Sequence, residues 1–149
     1  MVEIINILDQ DMKAAMKEKD KFTLSVIRML RSEIKYAEIA AGSSLNEEQV
    51  IDVLSREAKK RRDAAADYVK AGRAETAKNL EQEVAIISRY LPEPLSETEL
   101  TELVSAAITE TGASTPADIG KVMGIVMPQV KGRADGKQVS AFARKLISK

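Results

Sequence analysis

Apolar residues recur every three to four positions along most of the chain, and no alternating strand pattern competes with that helical period. Ile4, Ile5, Leu8, Met12, Ala15 and Met16 fall on one face of a first predicted helix. A second is predicted over Lys21 to Ala41, with the stripe Val26, Ile27, Leu30, Ile34, Ala37 and Ala41, and Gly42 stops it. Asn46-Glu47-Glu48-Gln49 has capping-box spacing and opens a third helix. Its stripe is Val50, Val53, Leu54, Ala58, Ala65, Tyr68 and Val69, running to Gly72. A fourth uses Ala77, Leu80, Val84, Ile87 and Tyr90 or Leu91. Short links between amphipathic helices imply antiparallel hairpins, each covering the apolar face of another.

Leu91-Pro92-Glu93-Pro94-Leu95 interrupts the period. Each proline pushes the residue before it toward extended geometry, so no helix crosses this point. Beyond it three short helices have legible starts. Ser96-Glu97-Thr98-Glu99 is a capping box, followed by Leu100, Leu103, Val104, Ala107 and Ile108 and a stop at Gly112. Thr115-Pro116-Ala117-Asp118 offers an N-cap, a proline in the first turn and an acid behind it. Ile119, Val122, Met123, Val126, Met127 and Val130 follow, with Pro128 kinking or shortening the end. Asp135 caps the last helix, striped by Val139, Phe142, Ala143, Leu146 and Ile147. Gly120 and Gly124 share one side of the middle helix, where close approach of a neighbouring helix is the expected reason for them. The predicted fold is all-α: an N-terminal four-helix antiparallel bundle (1–91), a proline-containing linker (92–95) and a three-helix C-terminal module (96–149).

Composition narrows the chemistry. Aromatic residues are few (Phe22, Tyr36, Tyr68, Tyr90 and Phe142), so the core is aliphatic. With no Cys and no His there are no thiol nucleophiles, disulfides, Cys/His zinc sites or imidazole bases. No acid pair, glycine-rich phosphate loop or ligand cluster marks an independent active site, so no catalytic residue, cofactor or metal is expected. The first basic residue is Lys13, and Glu3, Asp9 and Asp11 interrupt the early apolar stretch, unlike a signal peptide. The longest uncharged run is the nine residues Val122 to Val130, against roughly 20 for a membrane span. A cytoplasmic protein without a membrane segment is expected.

Lys plus Arg and Asp plus Glu are equal at 23 each, yet the charges are segregated. Residues 92–118 hold Glu93, Glu97, Glu99, Glu102, Glu110 and Asp118 and no base. Residues 119–149 hold Lys121, Lys131, Arg133, Lys137, Arg144, Lys145 and Lys149 against Asp135 alone. Such asymmetry points to a charged interaction surface. Gly132 and Gly136 bracket the corner inside the basic half, so Lys121, Lys131, Arg133, Lys137 and Arg144 are the candidate contacts to an anion. The competing explanation is a solvated turn whose bases neutralise the module's own acidic helix. Lys21, Arg28, Arg31 and Lys35 form a second cationic stripe on the second helix. The denser run Arg56, Lys59, Lys60, Arg61 and Arg62 is expected to be a solvent face, laced by i,i+4 pairs such as Glu57 with Arg61.

Residues 11–39, 47–73, RYLPEPLSETEL (89–100) and TGASTPADIGKVMGIVMPQVKGRADGKQV (111–139) together resemble the YqeY family across nearly the whole chain. The last stretch is also similar to the tail of GatB, the B subunit of glutamine-dependent aspartyl/glutamyl-tRNA amidotransferase. In that family the helical and tail domains contact the tRNA body, while a separate large domain carries the chemistry. The matching positions here are Gly120-Lys121 and Lys131-Gly132-Arg133-Ala134, with Lys137 after them; Asp135-Gly136 stands where GatB tails commonly carry Asn-Pro. The resemblance implies a non-catalytic tRNA-binding or tRNA-associated protein, with tRNA and a tRNA-modifying or aminoacylation enzyme as partners. Two other readings remain open: a component of a carbon–nitrogen ligase using glutamine as amide donor, and a protein–protein adaptor.

Overall fold

The computed structural model describes residues 3–148, and among them every regular element is helical. The helices are α1 (Ile4–Glu18), α2 (Lys21–Ala41), α3 (Glu47–Lys70), α4 (Ala74–Ser88), α5 (Glu97–Thr111), α6 (Ile119–Val130) and α7 (Gly136–Ile147). A 3-10 turn, Pro116–Asp118, leads into α6. The chain divides into two compact units, residues 1–91 and 92–149.

In the first unit the hairpins α1–α2 and α3–α4 share one core. Leu8 of α1, Ile27 and Leu30 of α2, Leu54 and Ala58 of α3 and Ile87 of α4 are all fully buried in it. Local chemistry sets the helix ends. Asn46 accepts the Gln49 amide at 2.8 Å and the Gln49 side chain accepts the Asn46 amide at 2.9 Å, a complete capping box. Gly42 ends α2 in the left-handed conformation, with its amide on Glu38 and Ile39 oxygens. One cap is tertiary: the Ile4 amide at the start of α1 donates to the Glu47 carboxylate at 3.1 Å. Just beyond α4 the Tyr90 hydroxyl donates to Asp11 of α1 at 2.5 Å.

Several expected core positions lie outside. Met16 and Val69 are more than half exposed, and Ala41 is exposed, because each sits at a helix end beyond the reach of the opposite hairpin. The α3 cation run is also not uniformly a solvent face. Arg61 is largely buried: it meets Glu57 at 2.6 Å, Glu83 of α4 at 3.6 Å and the Met29 sulfur of α2 at 3.3 Å. Its hydrocarbon stem fills the groove between three helices while its head finds two carboxylates.

In the second unit each of α5, α6 and α7 packs on the other two. Leu100, Val104, Val122, Val126, Val130, Val139 and Ala143 are fully buried between them. Pro128 leaves α6 intact for two further residues, to Val130. The stretch 92–95, expected as a linker, belongs to this unit. Leu95 is buried in its core and donates its amide to the Arg133 carbonyl at 3.0 Å.

Gly120 and Gly124 do not serve helix packing. Both are exposed, and a Cβ built on either meets nothing within 4 Å. α5 and α7 pack on the valine stripe of α6 instead, which leaves the glycine side open.

Candidate nucleic-acid interface

The α6–α7 corner is built by short-range hydrogen bonds. Val130 closes α6, and its carbonyl accepts the Arg133 and Ala134 amides at 2.8 and 3.1 Å. That tight return requires Gly132 at φ +78°, a conformation unfavourable for a residue with a Cβ. Asp135 then caps α7, accepting the Gln138 amide at 2.8 Å. A carboxylate therefore already occupies the positive end of α7, and an incoming anion would meet it.

The candidate cations divide by their partners. Arg133 is engaged by partners of its own unit: its Nε donates to the Glu93 carbonyl at 2.8 Å and its Nη2 lies 3.3 Å from the Glu99 carboxylate. Glu99 is at the same time the first-turn residue whose amide the Ser96 cap accepts at 3.1 Å, the reciprocal half of the expected capping box being absent there. The corner, the proline segment and the start of α5 are thus tied together by one guanidinium. Neutralisation of the acidic helix by a corner base, the competing explanation from sequence, describes Arg133. Lys121 lies 3.8 Å from Asp118 and is well exposed, so that pair is weak. Lys131 is exposed beside Gly132.

Lys137 and Arg144 differ from these. They lie on the outer face of α7, opposite Val139, Phe142 and Ala143, and have no charged partner among the described residues. Lys145 joins them on that exposed face. Lys145 lies about 100° around the helix from Arg144, at the edge of the outer face, so spacing alone does not single it out. The structure thus gathers a cationic outer surface on α7 and removes Arg133 from it.

The second stripe is also divided. Arg31 is held by Asp9 of α1 at 2.9 Å. Lys21, Arg28 and Lys35 are exposed along α2 without a charged partner among the described residues.

Asp118 shows how the approach to α6 is stabilised. Its carboxylate accepts the Ser114 and Thr115 amides at 3.1 and 3.2 Å and the Thr115 hydroxyl at 3.3 Å. The backbone donors hold its carboxyl below the usual carboxylate range, with the Thr115 hydroxyl and Lys121 adding to the effect. Tyr90 is shifted the other way. Burial, reinforced by the hydrogen bond and charge of Asp11, pushes its hydroxyl well above the ordinary tyrosine value.

The family model described as Yqey-like protein matches residues 5–147. The chain belongs to the YqeY family. Relatives include a protein named altered inheritance of mitochondria protein 41, mitochondrial, from Lachancea thermotolerans, 36% identical over 74% of this chain and 60% of its own length. The protein of the same name from Kluyveromyces lactis is 31% identical, covering 91% of this chain and 71% of the relative. That from Pyrenophora tritici-repentis is 27% identical over 94% and 78%. The chain spans about three fifths of the Lachancea relative.

These names overturn the expectation of a cytoplasmic protein, since the YqeY-like relatives matching most of the chain are named as mitochondrial. A secretory signal and a membrane span say nothing of an organelle address, which is carried by other kinds of segment. No described helix is long and apolar enough to cross a membrane.

Proposed function

We propose that this YqeY-family chain is a non-catalytic, tRNA-associated protein that meets the phosphate backbone through the second unit. The observation that carries this reading is the outer face of α7, where Lys137, Arg144 and Lys145 stand exposed without a charged partner among the described residues. Lys131 at the corner and Lys121 beside the open glycine side of α6 extend the same cationic surface. Arg133 supports the surface from behind as a positioning residue. Recognition on this surface is of shape and phosphate, because the exposed residues of α7 include no aromatic platform for stacking bases.

The test is binding of bulk tRNA to the full chain at low and moderate salt, with Lys131→Ala/Lys137→Ala/Arg144→Ala beside it. About five phosphate contacts give a log–log salt slope of roughly −4, and removing three of them flattens it to about −1.6. Binding that ignores both salt and the triple change overturns the reading.

A further inference from the structure

α2 has a second face that the bundle uses only at Met29, which packs on the core and meets Arg61 of α3. Its core face carries Val26, Ile27, Leu30 and Ile34. On the other side Phe22, Ser25, Met29, Ser32, Tyr36 and Ile39 follow one another at alternating spacings of three and four residues. This is the a/d spacing by which one helix receives another. Phe22, Tyr36 and Ile39 are 40, 66 and 68% exposed, three of the five large hydrophobic residues so exposed among the described residues. Ser25 and Ser32 lie exposed between them and Met29 is half-buried, so the middle of the face is shallow enough for close approach.

The flanks add charge and a recess. Lys21, Arg28 and Lys35 each precede an a position by one residue, which places them at g, along one edge of the seam. On the opposite side Tyr36 lines a shallow pocket of about 270 Å³ between α2 and α3, with Glu33, Ala37, Val53, Arg56 and Glu57.

We infer that this face of α2 docks an amphipathic helix of a partner protein, apolar along its seam and acidic along the edge that meets Lys21, Arg28 and Lys35. Charge and apolar content together select the occupant. A second copy of α2 laid antiparallel sets its three cations against the same three. Laid parallel, it offers them Glu33 as the single acid at the facing e positions. The acidic α5 of a second copy has suitable charge, but its exposed Thr98, Glu102, Ser105, Ala106 and Thr109 supply no large apolar side chain. An RNA backbone would engage the cations and leave Ile39, which has no π face for a base, in water. An acidic amphipathic helix covers the apolar side chains and pairs the cations at once.

The test uses the full chain and two labelled helical peptides, both with Leu at a and d, one with Glu and the other with Lys at e and g. Fluorescence anisotropy is expected to show binding of the Glu peptide and not of the Lys peptide, a comparison that requires no variant. Tyr36→Ala/Ile39→Ala, at exposed positions, is expected to weaken the Glu peptide about tenfold or more, with helicity unchanged by circular dichroism. Lys21→Glu/Arg28→Glu/Lys35→Glu is expected to transfer preference to the Lys peptide. Absence of binding, equal binding of both peptides, or binding indifferent to Tyr36→Ala/Ile39→Ala overturns the inference. So does a dimer of the unaltered chain that the same pair of changes dissociates, which assigns the face to a second copy. Loss of tRNA binding in that pair assigns it to RNA instead.

Discussion

The guanidinium of Arg133 reaches across 40 residues of sequence to the Glu93 carbonyl, donating its Nε at 2.8 Å. Glu93 stands between Pro92 and Pro94 in a segment with no helical partners, and the guanidinium supplies its exposed carbonyl with a donor from within the protein. The second prong, to Glu99 at 3.3 Å, ties the same group to the first turn of α5. A residue that reads from sequence as an anion contact is, in the fold, a fastener of the second unit.

Arg133→Ala is therefore expected to destabilise the second unit by about 0.5–1.5 kcal/mol, the net range for a solvent-exposed hydrogen bond and ion pair. Urea denaturation followed by circular dichroism measures it. Arg133→Lys recovers only part, since an ammonium has no planar fork with which to serve both acceptors. Unchanged stability alongside lost tRNA binding would instead make Arg133 a direct contact.

Tyr90→Phe leaves the Asp11 carboxylate without its 2.5 Å donor and is expected to lower stability by about 1–3 kcal/mol. The pair also predicts an alkaline dependence. The folded hydroxyl titrates above the ordinary value of 10.0, so the native state holds this proton more tightly than the unfolded chain. Its contribution is complete below pH 10 and erodes as pH climbs past that point. Denaturation midpoints taken from pH 8 upward should fall less steeply above pH 10 in Tyr90→Phe than in the unaltered chain.

Asp118 carries the opposite sign. Its folded carboxyl titrates below the ordinary value of 3.8 because the Ser114 and Thr115 amides favour its charged form. It therefore contributes stability above that value, lost as pH falls through the lower folded one. Carboxyl-carbon NMR titration should show Asp118 as a low-titrating aspartate. Asp118→Asn should be less stable than the unaltered chain at neutral pH, with the difference closing in acid. An ordinary titration midpoint would remove the capping role.

The glycines separate into two kinds. Gly120→Ala and Gly124→Ala fill open positions within a helix and are expected to stabilise by about 0.4–1 kcal/mol each. Gly132→Ala forces a Cβ into a left-handed conformation and is expected to cost about 1–2 kcal/mol. Thermal unfolding distinguishes the two. Destabilisation by Gly124→Ala would show a close neighbour on that face after all.

Much of the local organisation was legible because its causes are local. The stops at Gly42 and Gly112 and the caps at Asn46, Ser96 and Asp135 rest on contacts within four residues. The candidate site was legible only as a charge imbalance. Lys137 and Arg144 could be placed on an outer face from their offset to Val139 and Phe142. That Arg133 is taken up by partners within the unit could not, since its acceptors lie 34 and 40 residues away. The role assigned to Gly120 and Gly124 failed for the same reason, as spacing shows which residues share a face but not whether another helix lies against it.

By itself, then, the sequence determined that the chain is helical, where most helices start and stop, and which family it belongs to. Period and capping act over one or two turns, and the family pattern is carried by residues in fixed order. Only the tertiary structure decided which cations remain available. It gave Arg133 to the proline segment and α5, Arg61 to Glu57 and Glu83, and Arg31 to Asp9, and left Lys137, Arg144 and Lys145 outside. A long flexible cation settles on whichever carboxylates and carbonyls the fold brings within reach, and that proximity is a property of packing between distant segments.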